Sequence, residues 1–232
     1  MNIKKIINLI ENFAPLEIQE NWDCSGYQIY LDEKDVQKVL LCLSITKNII
    51  DQAIEQKCDM IISHHPLFFV PFEFNKNITI YSAHTNLDKT EGGTTDTLIE
   101  LLGLSNQQKN SDFLRFVDLQ KEISLDDFAK ILKTKLNLKT IRIVNNSNKN
   151  KISKIAFCAG SGVDLLGEAE YMGADIFVTG DIKYHCALES NVIIADIGHF
   201  ESERPVLMTI KKLLETNVKV IIADEKSPFV NY

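Results

Sequence analysis

Ile61-Ile62-Ser63-His64-His65-Pro66 is a run of β-forming residues that stops abruptly at two histidines and a proline. A buried strand that ends this way delivers polar side chains to the edge of a sheet. In mid-strand, adjacent side chains point to opposite faces, but at a strand-to-loop transition both can bend toward one cluster. Proline removes a donor and stiffens the exit. The pair suits either a metal site or a strand capped by two hydrogen-bonded histidines.

Working outward, residues 39–44 form an apolar strand, and residues 46–56 carry helical spacing through Ile49, Ile50, Ala53 and Ile54. With the strand at 58–63 they make a β-α-β unit whose continuous apolar strands suit a sheet covered on both faces. Ligands gather beyond the carboxyl ends of such strands, where His64 and His65 fall. A further strand at 78–83 runs into His84-Thr85-Asn86-Leu87-Asp88, again a histidine with a carboxylate four residues on. Gly92-Gly93 followed by Thr94-Thr95-Asp96 reads as a loop and helix start, too weak a signal for a phosphate loop.

The chain before this unit begins with an amphipathic helix over 2–13, its face formed by Ile3, Ile6, Ile7 and Ile10, and Pro15 ends it. Asn21 to Tyr30 carries the single tryptophan, Trp22, and a turn-forming Asp23-Cys24-Ser25-Gly26; it reads as a structural corner. Residues 106–110 and 145–150 are polar linkers, and between them a strand near 113–119, a helix at 124–135 and a strand at 140–144 read as a small bridging element.

The second half repeats the first. Val39-Leu40-Leu41-Cys42 matches Ile155-Ala156-Phe157-Cys158 at an offset of 116 (155 − 39), and residues 58–63 match 174–179 at the same offset (174 − 58). His84 and Asp88 match His199 and Glu203 at 115 (199 − 84, 203 − 88). Two similar lobes point equivalent strand ends at a shared cleft. The polar residues there are His64, His65, His84 and Asp88 from one lobe and Asp181, His185, His199 and Glu203 from the other, which takes in all five histidines of the chain. Imidazoles with carboxylates and no thiolate suit Zn²⁺, Mn²⁺, Fe²⁺, Co²⁺ or Ni²⁺. So many donors exceed the need of one tetrahedral ion and suit a pair of bridged ions with a water between them. His64 and His65 have no counterpart in the second half, where the equivalent strand ends in Thr179-Gly180-Asp181.

Composition bounds the partners. The 232 residues hold 25 Lys and Arg against 32 Asp and Glu, a net charge of −7, which offers no general pull toward nucleic acid or anionic membrane. The N-terminal helix is too interrupted for a signal peptide, and no apolar run reaches membrane-spanning length, so a cytoplasmic protein is expected. Five scattered cysteines without C-x-x-C spacing are neither a disulfide framework nor a zinc ribbon.

Asn21-Trp22-Asp23 with Gly26, Ser63-His64-His65-Pro66, Ala83-His84-Thr85-Asn86-Leu87-Asp88 with Gly92-Gly93, Thr179-Gly180-Asp181-Ile182-Lys183-Tyr184-His185, and Gly198-His199-Phe200-Glu201-Ser202-Glu203 resemble, in order and over nearly the whole chain, the signatures of the NGG-one-interacting-factor-three-like family, whose bacterial members carry the label GTP cyclohydrolase I type 2 homologue. The resemblance implies an α/β fold of two intertwined, duplicated lobes with mixed sheets: residues 1–105, a short bridge over 106–150, and residues 151–232. It implies two divalent metal ions held by His64, His65, Asp88, His199 and Glu203, with His84 and His185 at the cleft as proton-transfer groups or as orienters of the carboxylates. It also implies a toroidal homohexamer. The bridge is shorter than the inserted domain of longer members, and Thr94-Thr95-Asp96 departs from the family's Val-Asn-Asp type. Two functions follow as expectations: a metal-dependent hydrolase acting on a nucleotide or related heterocycle, or a metal-binding interaction protein without turnover.

Overall fold

The computed structural model describes residues 1–67, 78–105, 107–109 and 111–230. In chain order the elements are α1 (Ile3–Phe13), β1 (Gly26–Ile29), β2 (Lys38–Cys42), α2 (Lys47–Glu55), β3 (Met60–Ser63), β4 (Thr79–Ser82), α3 (Thr85–Lys89), α4 (Thr94–Leu102), β5 (Gln107–Lys109), β6 (Arg115–Ser124), α5 (Leu125–Lys135), β7 (Arg142–Val144), β8 (Lys151–Phe157), α6 (Leu166–Tyr171), β9 (Ile176–Thr179), α7 (Tyr184–Glu189), β10 (Ile193–Asp196), α8 (His199–Glu203), α9 (Val206–Leu214) and β11 (Lys219–Ile222). They form two compact units, Met1–Gly93 with Val206–Lys226, and Thr94–Pro205 with Ser227–Tyr232.

The first unit is built on a five-stranded mixed sheet in the order β1-β4-β3-β2-β11. Strands β3 and β4 are buried along their whole length and β2 from Val39 on, and Leu40, Ile61 and Ile80 are completely buried in one cluster with Ile49 and Ala53 of α2. Removing such an aliphatic side chain from water is worth about 1.5–3 kcal/mol. Helix α1 starts where Asn2 accepts the Lys4 N–H and buries Ile3, Ile6, Ile7 and Ile10, the face expected from their spacing.

The second unit carries a six-stranded mixed sheet in the order β5-β6-β8-β9-β10-β7. The stretch 106–150, read from sequence as a bridge, supplies this sheet with β5, β6 and β7, and α5 packs Phe128 and Leu132 into its core beside Ile155 and Ile176. The polar stretch Gln107-Gln108-Lys109, read as linker, pairs with β6 as an edge strand. Backbone bonds alone suffice there, because an edge strand can leave its side chains in water. From the other end of the chain, α9 and β11 return to the first unit, where β11 pairs parallel with β2.

The duplication expected from sequence is present in the register of the sheets. Val39 opposes Met60 and Leu40 opposes Ile61 across β2 and β3, while Ile155 opposes Ile176 and Ala156 opposes Phe177 across β8 and β9, each residue displaced by the same 116 positions. Side-chain hydrogen bonds repeat too. Asp59 accepts the N–H groups of Gln37 and Lys38, and Asp175 those of Ser153 and Lys154. The ammonium of Lys38 donates to the Gln56 carbonyl, and that of Lys154 to the Met172 carbonyl. Burial pushes the Asp175 carboxyl up, but the Lys154 and Ser153 donors outweigh it and hold its pKa below the ordinary value.

Candidate metal centre

In the first unit, β3 runs on past Ser63 by two more sheet bonds: His64 N–H donates to the Cys42 carbonyl and His65 N–H to that of Leu43. The two rings nevertheless come together, with centroids 4.9 Å apart. His84, at the end of β4, brings its ring within 5.2 Å of His64 and 5.6 Å of His65. One ligand atom from each of the three histidines lies within 4.8 Å of the others, a group able to hold a metal ion. Asp88 follows one turn after His84 on α3 and places Oδ1 3.5 Å from His64 Nε2.

The rings are fixed from behind. His64 Nδ1 donates to the Ala83 carbonyl at 2.8 Å, which in a neutral imidazole leaves the lone pair on Nε2. His65 Nδ1 is hydrogen bonded to Ser44 Oγ at 2.7 Å, and His84 Nδ1 donates to Asp23 Oδ1 at 3.0 Å. A hydrogen bond on one ring nitrogen that turns the other into the ligand is the usual support of metal-binding histidines. The donor set fits a borderline divalent cation.

Asp23, which the sequence reading placed in a structural corner, stands directly behind the His84 ring. Its side chain is fully buried and accepts from the backbone of Cys24 and Thr85, the hydroxyls of Ser25 and Thr85, and the His84 ring. Burial pushes its carboxyl up, but the hydrogen bonds from Thr85 and His84 win and hold it at about 2. It is therefore a permanent anion behind His84. Ser25 Oγ and Asn86 Oδ1 both accept the His84 backbone N–H, tying the same corner to the start of α3.

In the second unit, β10 ends at Asp196 and the chain turns through Gly198, at φ +89°, into α8. His199 opens the helix and Glu203 follows one turn later, so His199 Nε2 and Glu203 Oε2 face each other at 3.0 Å. His199 Nδ1 donates to Asp181 Oδ2 at 2.7 Å. The hydrogen bond to Glu203 raises the His199 pKa, burial opposes it, and the charges of Glu203 and Asp181 add to the rise, giving about 9. Ligation by His199 therefore requires it to give up a proton. Gly160, at φ +70°, lies so close that a Cβ there would sit 2.2 Å from Glu203 Oε1. Its N–H donates to Ser202 Oγ, which in turn donates to the His199 carbonyl.

Of the residues singled out in the sequence, His64, His65, His84 and Asp88 meet in the first unit, and His199, Glu203 and Asp181 meet in the second. His185 sits exposed on α7 with its ring 5.5 Å from that of Tyr184, outside both groups. Asp23 could have been found from its place in the Asn21-Trp22-Asp23 motif, but its partner lies 61 positions away. No helix among the described residues is long and apolar enough to cross a membrane.

The chain is 35% identical over 260 residues to a protein of Clostridium perfringens named GTP cyclohydrolase 1 type 2 homolog, covering 99% of each. A Campylobacter jejuni protein of the same name is 37% identical over 248 residues, with 99% of each covered. Among solved structures, a Bacillus cereus protein related to NIF3 shares the fold with a TM-score of 0.89 at 22% identity, covering 100% of this chain and 99% of that one. With a match to the family model over residues 1–228, the chain belongs to the Duf34/NIF3 (NGG1p interacting factor 3) family.

Proposed function

We propose that the protein is a dinuclear metal-dependent hydrolase that opens or cleaves a nucleotide or related heterocycle, as the name GTP cyclohydrolase 1 type 2 borne by its relatives suggests. The observation that carries the reading is the common support of the histidines. His64, His84 and His199 each donate Nδ1–H to a fixed oxygen, so Nε2 is the nitrogen turned toward a carboxylate or a neighbouring imidazole. In this proposal His64, His65 and Asp88 together with His199 and Glu203 hold two divalent ions, an assignment that rests on the resemblance of their motifs to those of the family.

Two such ions, when bound, would polarise the attacked centre and lower the pKa of a bound water enough for it to ionise near neutral pH. The chain's own contribution is positioning and proton transfer. His84, backed by the Asp23 anion, can take a proton at Nε2 and return it to a leaving group, because a positive ring gains from the carboxylate behind it. His185, exposed on α7, fits a role in substrate approach better than one in ligation. The net charge of −7 supports a small-molecule substrate over nucleic acid, and the lack of a spanning helix among the described residues fits a cytoplasmic protein. The hexamer implied by the family resemblance belongs to the same proposal.

Two measurements test it. Elemental analysis of protein purified without added metal should give two ions per chain, falling to one or none in His64→Ala. Glu203→Gln should abolish turnover of a nucleotide panel by metal-loaded protein while the oligomer persists in sedimentation. If the loaded protein turns over nothing and a partner protein binds wild type and variant alike, the hydrolase reading fails in favour of a metal-binding interaction protein.

A further inference from the structure

Trp22, expected to close a structural corner, does not bury itself: 64% of it is exposed. An indole carries more apolar surface than any other side chain, and leaving it in water forgoes a large burial gain. It is held there firmly. Asp23 N–H donates to the Glu20 carbonyl, Glu20 N–H to Thr85 Oγ1, and the Glu20 carboxylate pairs with Lys89 at 2.6 Å, so both flanks of Trp22 are tied to α3. Downstream, the Gln28 side chain donates to the Cys24 carbonyl and accepts the Leu67 N–H, which fastens the Trp22 loop to the chain leaving His65.

The exposed indole is also beside the chemistry. Its ring meets that of His84 in an edge-to-face contact, centroids 6.0 Å apart and planes at 75°. His84 in turn belongs to the three-histidine group. A rigid aromatic surface, open to solvent and one ring away from metal-competent imidazoles, is a place for a flat ligand to lie. Stacking on an aromatic side chain is tolerant of sequence and substituent because every heterocyclic base has a π-face.

We propose that Trp22 is the stacking platform for the planar ring of the substrate, a purine or similar heterocycle, and so a specificity-determining residue of the first unit. This rests on the hydrolase reading for the ligand's class, while the contact itself needs only binding. The ring is recognised by its face, and a phosphate chain without a ring gains nothing from this residue.

Trp22 is the single tryptophan of the chain, so intrinsic fluorescence excited at the red edge of tryptophan absorption reports on this position alone. Metal-loaded full-length protein is titrated with GTP, guanosine, adenosine and inorganic triphosphate, and binding is followed in parallel by calorimetry. GTP and at least one nucleoside should quench the emission, and triphosphate should leave it unchanged. Trp22→Ala should weaken nucleoside binding by about ten- to hundredfold, and Trp22→Phe should restore most of it. Quenching without turnover would keep the platform and remove the hydrolase. Turnover without quenching, ring ligands that bind wild type and Trp22→Ala equally, or no binding of any ring ligand would overturn the platform. So would a ligand-free emission already blue-shifted and shielded from acrylamide in an oligomer, which would mean that a second copy covers the indole.

Discussion

Asp181 accepts the Nδ1–H of His199 at 2.7 Å while its own backbone stands in the left-handed region, at φ 56°. That conformation costs an L-residue roughly 1–2 kcal/mol, less for Asp than for most. A side chain kept in a costly backbone shape to meet one imidazole nitrogen acts as a positioning residue. Asp181→Ala should lower the ion affinity of the second unit's group by about ten- to hundredfold in a chelator competition. Asp181→Gly should relieve the backbone cost and melt no lower than wild type, yet lose the same affinity. Full affinity in either variant would remove the positioning role.

Gly160 offers a second handle on the same group. A methyl there would meet Glu203 Oε1 at 2.2 Å and His199 Nε2 at 3.6 Å, on a backbone at φ +70°. Gly173 has nearly the same backbone, φ +76°, with nothing within 4 Å of its added Cβ. Both alanine variants carry the left-handed backbone penalty of about 1–2 kcal/mol. Only Gly160→Ala should also displace the carboxylate, and so lose metal in elemental analysis. Equal metal content in the two variants would show that Glu203 is not held by this close approach.

Gly173 has its repeat partner at Lys57, 116 positions earlier, and the two sit at matching helix ends. Cys58 N–H bonds back to Ala53 and Lys57 N–H to Ile54; Ala174 N–H bonds to Ala169 and Gly173 N–H to Glu170. Lys57 takes φ 55° there, where glycine is the favoured residue. Lys57→Gly should therefore raise stability by about 0.5–1 kcal/mol in urea unfolding, and a lower midpoint would mean that the Lys57 side chain contributes contacts outweighing its backbone cost.

The same repeat explains what could be read without coordinates. Strands β2, β3, β8 and β9 announce themselves as short apolar runs, and the constant offset between their partners survives because both ends of each β-α-β unit keep their length. The histidines at strand ends followed from this placement. What stayed hidden is non-local or polar. Nothing near Lys219–Ile222 signals that β11 joins β2, since the partner lies across the chain. Gln107–Lys109 pairs through its backbone with side chains that give no strand signal. Helices α3, α7 and α8 span five or six residues, too few to display an apolar period. The role of Asp23 emerged only when Thr85 and His84 were seen to converge on it.

Asp23 sets the last expectation, an acid limb in the stability of the first unit. Its carboxyl, 3.8 in the ordinary state, is held at about 2 in the fold. The folded value is depressed, so its contribution is fully present above 3.8 and disappears as pH falls through about 2. The shift corresponds to roughly 2 kcal/mol. Asp23→Asn keeps the shape and one acceptor but loses the charge, and should be less stable than wild type by about that amount at pH 7. The gap between the two proteins, read from denaturant midpoints at pH 7, 4 and 2, should hold down to about pH 4 and then close. A gap of constant size at all three values would mean that Asp23 stabilises by shape alone.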